Sequence, residues 1–297
     1  MKLKEKKINK QMASPNIATT YTIVGTGLMG GSIAYALQKY KIATHIIGVE
    51  NNKKNAAKAL ELGIVHEILP LKKAIENSSM VILAVPVHTI KSILPTLLNY
   101  TTHHTVIDVG STKTEILHCI NNHSNRANFV ATHPMWGTEY SGPEAAQKIA
   151  FKNKAVVVCN ANESGKAQLA KTVALYKKLG MHTIYMDAKA HDLHTAYISH
   201  ISHLTSFALA NTVLQKEKEN NTIFELASGG FESTVRLAKS NAAMWVPIFL
   251  ENKKNILDVL MELEVQLAEF KKNLIQHNEP QLTALILQAN KIKKILP

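Results

Sequence analysis

The sequence predicts the α/β class: a parallel-sheet domain followed by an all-helical domain. Three observations carry that prediction. Short, almost wholly apolar strands alternate with helical patterns as far as Asp187. A glycine-rich turn joins the first strand to the first helix. Beyond Asp187 no strand-like run occurs, and long helical patterns continue to the C-terminus.

Residues 1–19 read as a basic tail, because order begins near Thr20. Tyr21 to Val24 is a β-rich run that stops at Gly25. Leu28 to Tyr40 reads as a helix whose Leu28, Ile33, Ala34 and Leu37 share one apolar side. Thr44 to Val49 is the second strand. Asn52 to Leu62 is the second helix, ended by Gly63. Further strands are predicted at Met80 to Val85, Thr105 to Val109 and, after an intervening helix, Asn128 to Thr132. Lys154 to Cys159 and His182 to Met186 complete the set, with a helix from about Glu163 to Leu179 between them. Continuous apolar strands of this kind belong to parallel sheets covered on both faces. Helical patterns then run from Ala188 to Lys218, Thr222 to Lys239, Asn241 to Phe270 and Gln281 to Ile295. The domains are therefore expected at 20–187 and 188–297. No Pro- or Gly-rich linker separates them, so they should pack closely.

Composition limits the function. The 297 residues carry 34 Lys and Arg against 22 Asp and Glu, a net charge of +12. Five lysines against Glu5 in the first eleven residues supply part of that excess, and read as a solvated tail. No aromatic RNA-binding motif, zinc finger or continuous basic helix accompanies the rest, so nucleic acid is not the expected partner. The longest apolar run, Met80 to Val87, is far short of the roughly 18 residues of a membrane helix. The N-terminus lacks a signal-type apolar core. Cys119 and Cys159 are too few for a disulfide framework. A cytoplasmic setting is the expectation.

Gly25-Thr26-Gly27-Leu28-Met29-Gly30 is a G-x-G-x-x-G sequence between a strand and a helix, a Rossmann-type context. Its first glycine permits the turn, its second lets backbone approach a pyrophosphate, and its third lets helix and strand pack. The helix N-terminus offers unpaired N–H groups to phosphate. Gly25, Gly27, Leu28, Met29 and Gly30 are thus cofactor-binding candidates, with Val85 at a neighbouring strand end. Glu50 ends the second strand twenty residues after Gly30. A carboxylate there accepts from ribose hydroxyls and repels a 2′-phosphate, which favours NAD over NADP.

In open α/β sheets, ligands bind beyond the carboxyl ends of strands. That rule picks out Gly110-Ser111-Thr112-Lys113 and His133-Pro134-Met135-Trp136-Gly137-Thr138-Glu139 beside the glycine turn. Neutral imidazole suits His133 to take a hydroxyl proton as a hydride departs, and Ser111 can bond the same hydroxyl. A packed or capping histidine at a strand end explains His133 equally well. His191, His194, His200 and His203 fall on one helical pattern, with His200 and His203 on a shared face. Helical zinc pairs are typically spaced i, i+4 and no Cys or acid joins this pair, so no metal is expected. Arg236 is of the type that clamps a carboxylate, and Trp245 can wall a pocket. Taken alone, each is as well a solvated or a core residue.

Together these segments resemble the prephenate and arogenate dehydrogenases of tyrosine biosynthesis, from about Thr20 to Glu269. The pieces are the glycine turn with Gly31-Ser32, Asp108-Val109-Gly110-Ser111-Thr112-Lys113, and His133-Pro134-Met135 with Gly137-Thr138-Glu139. His191-Asp192, Ser199-His200 with His203, Gly229-Gly230-Phe231 with Arg236, and Met244-Trp245 continue the match. The resemblance implies NAD-dependent oxidative decarboxylation of prephenate, or of arogenate, driven by aromatisation. It casts His133 as the acceptor for the ring hydroxyl, and Ser111 as orienting both that hydroxyl and the bound cofactor. It puts Arg236 on a carboxylate, His203 near the substrate side chain with His200 close by, and Glu139 in a polar gate. It also implies a homodimer built through the helical domain, with Trp245 and its neighbours near the shared interface. Three positions depart from the pattern. Trp136 stands where a small residue is common and would narrow the pocket. Ser202 replaces a proline between the paired histidines. Ser233 replaces an aspartate beside the gate.

Two other classes compete. A hydroxy-acid dehydrogenase of similar plan would place a catalytic lysine early in the helical domain, where Ala188 to Asn211 offers only Lys189. A dinucleotide sensor would bind cofactor without turnover, and the polar set beside the nicotinamide site argues against it.

Overall fold

The computed structural model describes residues 19–220 and 222–295. All but the last residue of the Lys-rich tail lies outside them. Thr19 itself is tied in, since its carbonyl accepts from the Thr44 N–H at 2.9 Å.

The first half alternates as its apolar runs require: β1 (Thr20–Val24), α1 (Leu28–Lys39), β2 (His45–Val49), α2 (Lys53–Glu61) and β3 (Glu67–Ile68). Then come α3 (Leu71–Glu76), β4 (Met80–Leu83), α4 (Val87–Asn99), β5 (Thr105–Asp108), α5 (Thr114–His118) and β6 (Phe129–Pro134). The sheet closes with β7 (Ala155–Cys159), α6 (Lys166–Lys178) and β8 (His182–Met186). Its order is β3-β2-β1-β4-β5-β6-β7-β8. The two-residue β3 is too short to leave a sequence pattern, and Pro86 and Pro95 obscure the periodicity of α4.

The sheet is parallel throughout except where β7 meets β6 antiparallel. That single reversal departs from the otherwise parallel sheet the sequence predicts, and the cause is local. A parallel return needs a crossover helix, whereas the chain from Met135 to Lys154 holds only a single 3-10 turn at Pro143–Ala145. It comes back alongside β6 instead. On the way it covers the glycine turn: Gln147 N–H donates to the Ser32 hydroxyl at 2.9 Å.

Both faces of the sheet are buried. Ile23, Ile82, Ile107 and Val130 face α1 and α6. Val81, Leu83, Val106 and Phe129 face α4, with Ile90, Leu94 and Leu97. Each such side chain removed from water stabilises the fold by about 1.5–3 kcal/mol. Trp136 is partly buried and packs edge-on against Phe151 of the core, with ring centroids 5.4 Å apart.

The second half is helical but more broken than its patterns suggest. It contains α7 (Ala188–Thr195), a π-turn at Ala196–His200, α8 (Ile201–Asn220), α9 (Gly229–Val235), α10 (Ala242–Glu251), α11 (Lys253–Ile275) and α12 (Glu279–Ala289). The helix predicted over Asn241–Phe270 divides at Asn252, whose amide is spent elsewhere: it donates to the Asp192 carbonyl at 2.6 Å. The two halves share a core, because Trp245 and Ile248 of α10 pack into the cluster beneath α4.

Candidate active site

β1, β4, β5 and β6 run parallel, so their carboxyl ends gather the glycine turn, Val85, Ser111 and His133 at one sheet edge. The glycine turn is built for close approach. Gly25 has φ +90°, and a Cβ there would lie 2.6 Å from the Ala84 carbonyl oxygen and 2.8 Å from Val85. At Gly30 a Cβ would fall 1.9 Å from the Gly25 carbonyl oxygen. The space over Gly27 is bounded by Gly142 N, which would lie 4.0 Å from a Cβ there, an ordinary van der Waals contact. No side chain caps α1 at Gly27, so its first N–H groups, through Leu28 and Met29, face that space. A glycine-lined cradle with an uncapped N-terminus fits a pyrophosphate. Gly30→Ala should therefore cost about 1–3 kcal/mol through overpacking and weaken dinucleotide binding. Thermal unfolding and cofactor titration check it.

Glu50 stands at the end of β2. Its Oε2 accepts from the Thr26 N–H at 3.1 Å and the Thr26 hydroxyl at 3.0 Å, and Oε1 accepts from Asn52 N–H at 3.0 Å. The acid is thus fastened to the glycine turn, with lone pairs left for ribose hydroxyls.

Under Ser111 lies a buried ion pair. Lys113 donates to Asp108 and to the Thr132 carbonyl, the latter at 2.8 Å, and neither side chain of the pair is exposed. Asp108 also accepts from Gly110 N–H at 2.9 Å and Thr132 N–H at 3.1 Å. The pair joins β5 to β6 immediately before His133. Ser111 itself is half-buried at the mouth of this loop.

His133 is half-buried, and its Nδ1 lies 2.9 Å from His191 Nε2. Burial, followed by the charges of His191, Lys113 and His200, holds its imidazole well below the ordinary range. It is neutral near pH 7 and able to accept a proton. His191-Asp192 belongs to the family resemblance, with no task implied for the pair by sequence alone. In the fold both are buried, and His191 Nδ1 lies 2.8 Å from Asp192 Oδ1. Histidine next to aspartate is too common a dipeptide to reveal this; only the packing of α7 on the β5 loop does.

The four histidines predicted on one helix separate. The π-turn, a device frequent at functional sites, reorients the chain between His191 and His203. His200 is buried, takes a hydrogen bond from Asn252 at 3.0 Å, and burial pushes it down to about 4. His203 bonds the Ser199 carbonyl at 3.0 Å and stacks on Trp245 with centroids 3.5 Å apart. Trp245 is buried within the chain between these histidines and Phe249, and its Nε1–H has no hydrogen-bond partner. Arg236 donates to Glu139 at 2.8 Å, so the two pair although Ser233 holds no charge and bonds the Gly230 carbonyl instead. Hydrogen bonding to its own backbone N–H, and then Arg236, hold the Glu139 carboxyl below the usual range. Among the described residues no cluster of three or more His, Cys, Asp or Glu could hold a metal ion, and no helix is long and apolar enough to cross a membrane.

Known proteins resemble this chain over both of its domains. Residues 33–185 match the family model of the prephenate dehydrogenase nucleotide-binding domain, and 187–288 that of the prephenate dehydrogenase dimerization domain. A prephenate dehydrogenase of Bacillus subtilis is 32% identical over 80% of this chain; the chain spans 66% of that protein's length. A cyclohexadienyl dehydrogenase of Zymomonas mobilis is 27% identical over 80% of this chain and 82% of its own. The crystal structure of the A. aeolicus prephenate dehydrogenase with hydroxyphenyl propionate and NAD+ superposes with a TM-score of 0.85. It is 30% identical, covering 95% of this chain and 99% of the other. With a nucleotide-binding sheet domain, a helical domain of the dimerization type and the site between them, the chain belongs to the prephenate dehydrogenase family.

Proposed function

We propose that this chain is an NAD-dependent prephenate dehydrogenase that produces 4-hydroxyphenylpyruvate, with arogenate as the alternative substrate. The observation that carries the reading is His133. It is neutral, hydrogen-bonded through Nδ1, and set at the sheet edge beside an uncapped, glycine-lined helix N-terminus. When bound, NAD supplies the hydride acceptor. His133 Nε2 accepts the ring hydroxyl proton, and Ser111 orients that hydroxyl. The ring carboxylate leaves as CO2, and aromatisation drives the step. Glu50, held by Thr26, selects a free 2′-hydroxyl on the cofactor.

Arg236 grips a substrate carboxylate. One of its nitrogens is engaged by Glu139, and its remaining donors suit a bidentate contact. His203, Trp245 and His200 line the side-chain end of the substrate. Arg236→Ala should raise KM for prephenate by about tenfold or more, the worth of a charged hydrogen bond. The value of kcat should stay within about threefold if ground and transition states are gripped alike. Initial-rate kinetics decide this, and an unchanged KM removes Arg236 from the role.

The chain is further read as a cytoplasmic homodimer. Exposed Met261 and Val265 on α11 and Ile286 on α12 offer an apolar face to a second copy. The substrate and cofactor assignments are tested by comparing kcat/KM for prephenate and arogenate with NAD and NADP. Prephenate with NAD should lead. Preference for arogenate or NADP overturns the corresponding half of the proposal.

A further inference from the structure

Two buried residues of α7 have no task in the reaction as written above, yet they form a hydrogen-bonded series that ends on its base. Asp192 Oδ1 lies 2.8 Å from His191 Nδ1, and His191 Nε2 lies 2.9 Å from His133 Nδ1. The Asp192 carboxylate is anchored from the other domain. It accepts from Lys113 N–H through Oδ1 and from Thr114 N–H through Oδ2, each at 2.8 Å. His191 and Asp192 are 1% and 2% exposed, so water does not satisfy them.

With one proton on each imidazole, the proton positions follow by elimination. An ionised carboxylate can only accept. Burial raises the Asp192 pKa, but hydrogen bonds from His191 and Thr114 outweigh it, and the carboxyl titrates below its ordinary range. His191 must therefore donate through Nδ1. Neutral His191 then has a lone pair at Nε2, facing His133 Nδ1. Two facing lone pairs repel, so His133 carries its proton on Nδ1 and leaves Nε2 free.

We propose that His191 and Asp192 are positioning residues that lock His133 in the Nδ1–H form and stabilise the imidazolium it becomes. The inference rests on the reading of His133 as the acceptor of the substrate hydroxyl proton. In the step, the substrate O–H bond breaks and an N–H bond forms at His133 Nε2. The hydride passes to the dinucleotide, and the Nδ1–H stays bonded to His191. Around His133, burial opposes the new positive charge, as do the charges of His191, Lys113 and His200, with Lys113 offset by Asp108. Asp192, acting through His191, favours it. Because His133 lies on β6 and the pair on α7, the base is set only when the two domains are docked.

Two substitutions and one spectroscopic readout test this in the full-length enzyme. His191→Leu removes the acceptor, whereas His191→Gln keeps a carbonyl oxygen that can accept from His133 Nδ1–H. The leucine variant should lose about 10²-fold or more in kcat, the lower range for a misplaced base, with both KM values within about threefold. The glutamine variant should recover at least about tenfold of that loss. Nitrogen-15 NMR of histidine-labelled enzyme without substrate should show His133 as Nδ1–H in wild type and the glutamine variant, and partly as Nε2–H in the leucine variant. Equal losses in both variants with raised KM values, or His133 found as Nε2–H in wild type, overturn the proposal. If the leucine variant fails to fold, the wild-type and glutamine spectra still decide it. The spectra do not depend on turnover, so they stand apart from a failure of the substrate assignment.

Discussion

His133→Asn should lower kcat by roughly 10²- to 10⁴-fold, the range for loss of positioned acid–base assistance. Asparagine can still hydrogen-bond the substrate, so KM for prephenate should change little. The pH profile supplies the second readout. Protonated His133 cannot accept a proton, and burial with its cationic neighbours makes that cation unfavourable. Wild-type kcat/KM should therefore stay level as pH falls through 6.5, where free imidazole titrates, and decline only below it. That acid limb should vanish in the asparagine variant. An unchanged kcat removes His133 from the chemistry.

Lys113→Met should be the most destabilising single change at the site. The Lys113–Asp108 pair has no exposed side-chain surface, and Asp108 would keep a buried charge without its cation. Breaking such a pair from one side costs about 3–5 kcal/mol. The strand ends would also lose the bond from Lys113 to the Thr132 carbonyl next to His133. Adding Asp108→Asn should recover part of the loss, because the stranded charge is then removed. Denaturant unfolding of the single and double variants measures both effects. A loss within about 0.5 kcal/mol for Lys113→Met, the range of ordinary surface changes, contradicts this account of the pair.

Much of the fold could be read from residue order because local and global signals agree. Apolar runs at Met80, Thr105 and Phe129 can only be buried strands, and the glycine turn fixes how the first one meets α1. The reversal of β7 was not legible, since nothing in Ala155 to Cys159 records direction; the helix-free return from Met135 sets it. The breaks in the helical half were hidden for a related reason. Asn252 serves distant partners, the Asp192 carbonyl and His200 of the π-turn, that a local pattern does not see. At the site, residues on strand ends and loops were found because topology alone makes them converge. Asp192 and His191 were not assigned a role, because their significance lies in contacts across the domain junction. The Glu139–Arg236 pair shows the opposite case. Ser233 stands where the resembling family carries an aspartate, but a direct contact of 2.8 Å makes the third residue unnecessary for pairing.

In the proposed reaction one half-buried neutral histidine beside a dinucleotide cradle removes a proton while the ring loses hydride and CO2. The most direct measurement follows NADH and CO2 together as purified protein is mixed with prephenate and NAD. The account predicts both products in equal amounts, with the rate collapsing in His133→Asn. Absence of NADH from prephenate and from arogenate, with either nicotinamide cofactor, would contradict it.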